Sequence, residues 1–193
     1  MDINAQGEDG ETILHQCCRS GKSDLLEIRG YKGFTVLHSA CCGGNVEIVS
    51  FLLNKGLDIN ALSNDRRWRN CLHQCCRSGK IEMCEYLVNQ FSELMEIRDN
   101  DGWTVLHSAS SGGSVDIVSF LLNQGLDINV LSNVGESILH NACLNSKHDV
   151  CRYLSKSYPD LLAVKDNKGK SVIDIAAEQG DIDMIHILRE RRY

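Results

Sequence analysis

One short pattern returns along this chain at nearly fixed steps, and it constrains the fold more than any other feature. A Thr, Asn or Ser followed by an apolar residue, Leu and His stands at Thr12–His15, Thr35–His38, Asn70–His73, Thr104–His107 and Ser137–His140, with a degraded copy at Ser171–Asp174. From Thr35 onward the steps are 33 to 35 residues. A unit of that length cannot bury its own apolar face, so such a chain is expected to stack its units into one continuous core.

Residues 33–64 show the unit most clearly. Leu37, Ala40 and Cys41 are spaced for a short helix, which Gly43 and Gly44 stop. Val46, Ile48, Val49, Leu52 and Leu53 give a second helix with an apolar stripe. Gly56 is placed to end that helix in a left-handed conformation, and Asp58-Ile59-Asn60 closes the unit. Each unit therefore reads as helix, turn, helix and loop.

This pattern resembles the ankyrin repeat over nearly the whole chain. Thr35, Leu37, His38, Ala40, Gly43 or Gly44, Ile48, Val49, Leu52, Leu53, Gly56, Asp58, Ile59 and Asn60 carry the resemblance. Thr104, Leu106, His107, Ala109, Val118, Leu121, Leu122, Gly125, Asp127, Ile128 and Asn129 repeat it. The resemblance implies an all-α solenoid of about six helix–turn–helix units with finger-like β-turn loops. One domain over 1–193 is expected, with units at about 7–32 (truncated), 33–64, 65–98, 99–131, 132–165 and 166–193, the last a C-terminal cap. The family usually places Pro after the Thr. Here Ile13, Val36, Cys71, Val105, Ile138 and Val172 stand there, which predicts a small loss of stability and no change of fold.

The eight residues HQCCRSGK occur twice, at His15–Lys22 and His73–Lys80, an offset of 58, whereas TVLHSA and IVSFLLN recur at an offset of 69. The first unit thus has no counterpart of residues 81–91, the body of a second helix. Either that unit is truncated or a segment is missing between Lys22 and Ser23. Full repeat identity on both flanks favours the missing segment.

Cysteine is abundant, at ten residues. Six are adjacent pairs, which point apart on a helix and rarely bridge each other. There is no CxxC, no Asn-x-Ser/Thr acceptor and an acidic, polar start, so reduced thiols and a cytoplasmic location are expected, with the nucleus as the alternative. In the repeat frame Cys17, Cys18, Cys75 and Cys76 fall where small apolar residues are usual, and they read as core filler. No four-ligand zinc spacing exists, so neither a metal nor any other cofactor is expected. No stretch has the length of a membrane helix. A net charge of −6 argues against nucleic-acid binding.

Catalytic motifs fail one by one. The GKS at Gly21–Ser23 and Gly169–Ser171 lacks the earlier glycine of a phosphate loop, since Gln16 and Val164 stand there. Histidines 15, 38, 73, 107 and 140 share one repeat position, where the resemblance implies local hydrogen bonding. The expected function is a non-catalytic protein-interaction module or scaffold, monomeric, that binds a partner protein or peptide through fingertip loops and the concave helix face. The alternative is a regulatory or inhibitory subunit of an enzyme. Tyr31, Phe34, Arg66, Arg67, Trp68, Arg69 and Trp103 fall on consecutive fingers and are of types enriched at interface hot spots, which suggests an acidic partner. Against this, Trp68 or Trp103 would simply pack on the neighbouring finger. The resemblance also implies hydroxylation candidates at Asn60 and Asn129, unless those asparagines only cap their loops.

Overall fold

A computed structural model describes residues 34–63 and 69–190. The expectations placed on the first unit, on the Lys22–Ser23 junction, and on Tyr31 and residues 66–68 lie outside the described residues. Among those described there are ten α-helices, two short 3-10 segments and no strand. The helices come in pairs: α1 (Val36–Gly43) with α2 (Val46–Asn54), α3 (Cys71–Arg77) with α4 (Ile81–Gln90), α5 (Val105–Gly112) with α6 (Val115–Asn123), α7 (Ile138–Leu144) with α8 (His148–Ser157), and α9 (Val172–Gln179) with α10 (Ile182–Arg189). The 3-10 segments Ser92–Glu96 and Pro159–Ala163 follow α4 and α8. This is the expected all-α repeat solenoid.

Each first helix begins because a side chain takes over backbone donors that a helix start leaves open. The Thr35 hydroxyl accepts the His38 N–H, the Asn70 side-chain oxygen accepts the His73 N–H at 2.9 Å, and the Ser137 hydroxyl accepts the His140 N–H at 3.4 Å. The residue after each cap stands where the family has proline. Val36, Cys71, Val105, Ile138 and Val172 are all buried there, so packing supplies what the preset φ does not. At the far end of the unit α2 stops at Asn54, Lys55 caps it, and Gly56 takes the left-handed turn at φ 87°.

Stacking is by layer. First helices pack on first helices (α1 on α3, α3 on α5, α5 on α7, α7 on α9), and second helices follow the same order outside them. The core runs unbroken along the array through Leu37, Leu72, Leu106 and Leu139 of the first layer and Leu52, Leu87, Leu121 and Leu154 of the second.

Candidate functional site

The turns between repeats form the surface that the sequence singled out. Each is closed by the side chain and backbone of its first residue. Asp99 Oδ1 accepts the N–H of Trp103 at 2.8 Å and of Asp101 at 2.9 Å, while the Asp99 N–H bonds the Trp103 carbonyl at 2.9 Å. Ser132 and Glu136 repeat that closure, as do Asp166 and Lys170. Backbone N–H groups hold the Asp166 carboxyl below its ordinary range, whereas burial raises that of Asp99. Ser63 does the same with Arg69, through its N–H at 2.9 Å and its hydroxyl at 3.0 Å. That closure encloses residues 64–68, five where the others enclose three.

Consecutive turns are tied into a ladder. The Asn133 N–H donates to the Asp101 carbonyl and its side-chain amide to that of Asn100, at 2.9 and 3.0 Å. Asn167 makes the equivalent bonds to Val134 and Asn133 at 2.9 and 3.1 Å. Arg98 adds a bridge to the carbonyls of Gly102 and Leu131.

The repeated histidines connect this ladder to the core. Their Nε2 atoms reach the carbonyl of the next turn's closing residue: His38 to Arg69 at 3.0 Å, His73 to Trp103 at 3.2 Å, His107 to Glu136 at 3.1 Å and His140 to Lys170 at 3.2 Å. A carbonyl only accepts, so Nε2 carries the proton and Nδ1 faces the helix cap. Burial pulls the pKa of His73 and His107 down to about 4 and lowers that of His140. In the last repeat Asp174 takes the position, and its carboxylate accepts the Ser171 N–H and hydroxyl instead.

Two of the expected contact residues face inward. Trp103 is 8 % exposed and stacks on His107 with ring centroids 6.3 Å apart. Arg69 is also 8 % exposed, with its Nε 3.6 Å from Asp99 and its guanidinium 6.0 Å from the Trp103 ring. They pack between adjacent fingers, which leaves them little area to offer a partner. Phe34 is half-buried against His38, its ring centroid 5.6 Å away. Two large apolar residues project from the ladder in the turn before α7, Leu131 at 42 % and Val134 at 52 % exposure, among exposed polar neighbours such as Asn100, Asp101 and Asn133. Two apolar residues in the otherwise polar stretch Leu131-Ser-Asn-Val134 were the signal for them.

Asn60 and Asn129 are exposed in the loops that close two units. Their N–H groups donate to Asp58 and Asp127 Oδ1, each at 2.9 Å, so aspartate makes the loop turn, and the Asn129 side-chain amide donates to the same Asp127 oxygen at 3.3 Å. No helix among the described residues is long and apolar enough to cross a membrane.

Comparison with known proteins agrees with this architecture. A family model described as ankyrin repeats in three copies matches residues 1–63, 61–132 and 124–193. The chain is 28% identical over 150 residues to human transient receptor potential cation channel subfamily A member 1, covering 75% of this chain and 13% of that protein. It is 32% identical over 97 residues to the Hydra vulgaris tyrosine-protein kinase HTK16, covering 50% of this chain and 13% of the kinase. It is 29% identical over 92 residues to a probable 26S proteasome regulatory subunit p28 of Saccharomyces cerevisiae, covering 47% of this chain and 40% of that subunit. The matched part is a minority of each relative's length. Family match, helix pairs and interlocked turns together establish that this chain belongs to the ankyrin-repeat family.

Proposed function

We propose that the chain is a non-catalytic scaffold that holds a partner protein across its fingertip turns and the concave face of its first helices. The ladder of turns supports this reading best. Its described turns are bonded to one another by backbone and side-chain groups, so the surface is ordered before binding, and preorganised surfaces lose little on association. The histidines are committed to the same bonds, which leaves them no substrate to act on. In this reading the chain works as a monomer in the cytoplasm or nucleus, with Leu131 and Val134 as apolar anchors. The basic residues Arg66 and Arg67 of the sequence then favour an acidic or extended partner segment.

The test compares affinity-captured partners of the wild type with those of two folded double variants, Leu131→Glu with Val134→Glu and Arg66→Glu with Arg67→Glu. A specific partner should fall at least tenfold with each. Equal recovery from all three chains would remove the fingertip surface from consideration. A regulatory subunit of an enzyme is the second reading, favoured by the yeast relative's name. It requires that the captured partner be an enzyme whose turnover changes when this chain is added.

A further inference from the structure

Three cysteine sulfurs meet inside the third repeat. Cys75 and Cys76 lie on α3 and Cys84 on α4, and none has exposed surface. Cys75 Sγ is 3.1 Å from Cys84 Sγ, Cys84 Sγ is 3.6 Å from Cys76 Sγ, and all three lie within 4.8 Å of one another. The spacing rule that excluded metals looked for neighbours along the chain. These residues become neighbours across the helix pair.

No other described repeat gathers three. The place of Cys75 holds Ala40, Ala109 and Ala142; that of Cys76 holds Cys41, Ser110 and Cys143; that of Cys84 holds Val49, Val118 and Cys151. The fifth repeat therefore carries two of the three and serves as an internal reference. There burial pushes Cys143 up to about 11 and Cys151 higher still. In the third repeat burial likewise raises Cys75 and Cys76, and Cys84 moves down through the hydrogen bonds it exchanges with Cys75 and then Cys76.

We propose that Cys75, Cys76 and Cys84 form a three-sulfur site for a soft monovalent cation, Cu(I). All-sulfur donors select soft ions. Zinc needs a fourth ligand, and among the described residues no further Cys, His, Asp or Glu joins the group. With no exposed sulfur, a water has no entry as the fourth ligand either. Metal–sulfur bonds of about 2.3 Å set the sulfurs of a three-coordinate ion roughly 4 Å apart. The two shorter gaps open by less than an ångström to reach that triangle. Each ligating sulfur exchanges its S–H bond for an S–Cu bond and releases the proton to solvent, with no change of oxidation state. Affinity therefore rises with pH.

The test titrates the reduced, intact chain anaerobically with Cu(I) held by a competing chelator, after both direct mixing and refolding with the ion. The variant Cys75→Ala installs the residue that the other described repeats carry, and Cys84→Val the one that two of them carry. Both should fold, which circular dichroism checks, and either suffices if the other does not. The wild type should retain one Cu(I) more than either variant, with three sulfurs at about 2.3 Å by X-ray absorption. Cu(I) should also raise the melting temperature of the wild type and of Cys143→Ala but not of Cys75→Ala. Equal uptake by wild type and Cys75→Ala, or two-sulfur coordination, would overturn the site. Tighter Zn(II) than Cu(I) retention would overturn the choice of ion.

Discussion

His107 has no exposed surface, lies between the Thr104 cap and the Glu136 carbonyl, and titrates near 4 because burial penalises its charged form. Burial lowers His73 to about the same value. An unfolded histidine takes its proton near 6.5, so between about 6.5 and about 4 the unfolded chain binds protons that the folded chain does not. Stability is therefore full above pH 6.5 and falls as pH drops towards 4, by on the order of 3 kcal/mol for each such histidine. Urea titrations at stepped pH should show this decline in the wild type, and a shallower one in His107→Gln over the same window. Identical slopes would mean that His107 does not carry the effect. The carboxylates Asp166, Asp174 and Asp181, held low by N–H and hydroxyl donors, contribute only at more acid pH. Asn70 is the odd cap of the series. Its Oδ1, which only accepts, takes the His73 backbone N–H and lies 2.7 Å from His73 Nδ1, whereas the Ser137 hydroxyl can donate to His140 Nδ1.

At the scale of the turn, the ladder demands a close approach that a left-handed glycine permits in two of the turns, Gly102 against Asn133 and Gly135 against Asn167. Gly102 has φ 77°, and a Cβ there would meet the Asn133 side chain, and the Asn133 backbone nitrogen at 2.8 Å. Gly79 is also left-handed, at φ 72°, but a Cβ there would meet nothing within 4 Å. Gly79→Ala should cost about 1 kcal/mol, from the left-handed conformation alone. Gly102→Ala should cost about 2–4 kcal/mol, because two turns must also part. Denaturant midpoints of the two variants separate these contributions, and equal losses would show that the turns yield without cost. Much of the turn was legible beforehand, since its Gly and Asp recur with the repeat. The length of the Ser63–Arg69 closure was not, because the repeat was aligned on its helix start and two extra residues fell silently into the gap. Nor was the burial of Trp103 and Arg69 visible. Side-chain type marks both for an interface, and only the position of the next finger shows that the interface is internal. The Cys75, Cys76 and Cys84 cluster escaped for a related reason: sequence spacing reports neighbours on one helix, whereas a hairpin makes neighbours of residues eight or nine apart.

Across the whole molecule, a linear array gives its units unequal numbers of neighbours, and local stability should follow that count. Helix α5 packs on α3, α6 and α7, and its Val105, Leu106 and Ala109 are buried. Among the described helices α10 packs chiefly on α8 and α9, buries Met184, Ile187 and Leu188, and leaves Ile182 67 % exposed. The ion pairs near its end, Arg152 and Lys156 with Glu190 at 3.4 and 3.0 Å, join side chains that are each 40–50 % exposed, and such pairs contribute little. Opening α10 therefore disrupts one edge of the core, while opening α5 disrupts two repeat interfaces at once. Native-state hydrogen exchange should find the amides of α10 among the first of the described helices to exchange, and those of α5 released only with global unfolding. Met184→Ala sharpens the comparison. It removes a fully buried side chain from α10 and should lower protection there by about 2–4 kcal/mol, with α5 unchanged in mild denaturant. If α5 loses protection to the same extent, the array unfolds as a single cooperative block, and nearest-neighbour stacking does not set its stability.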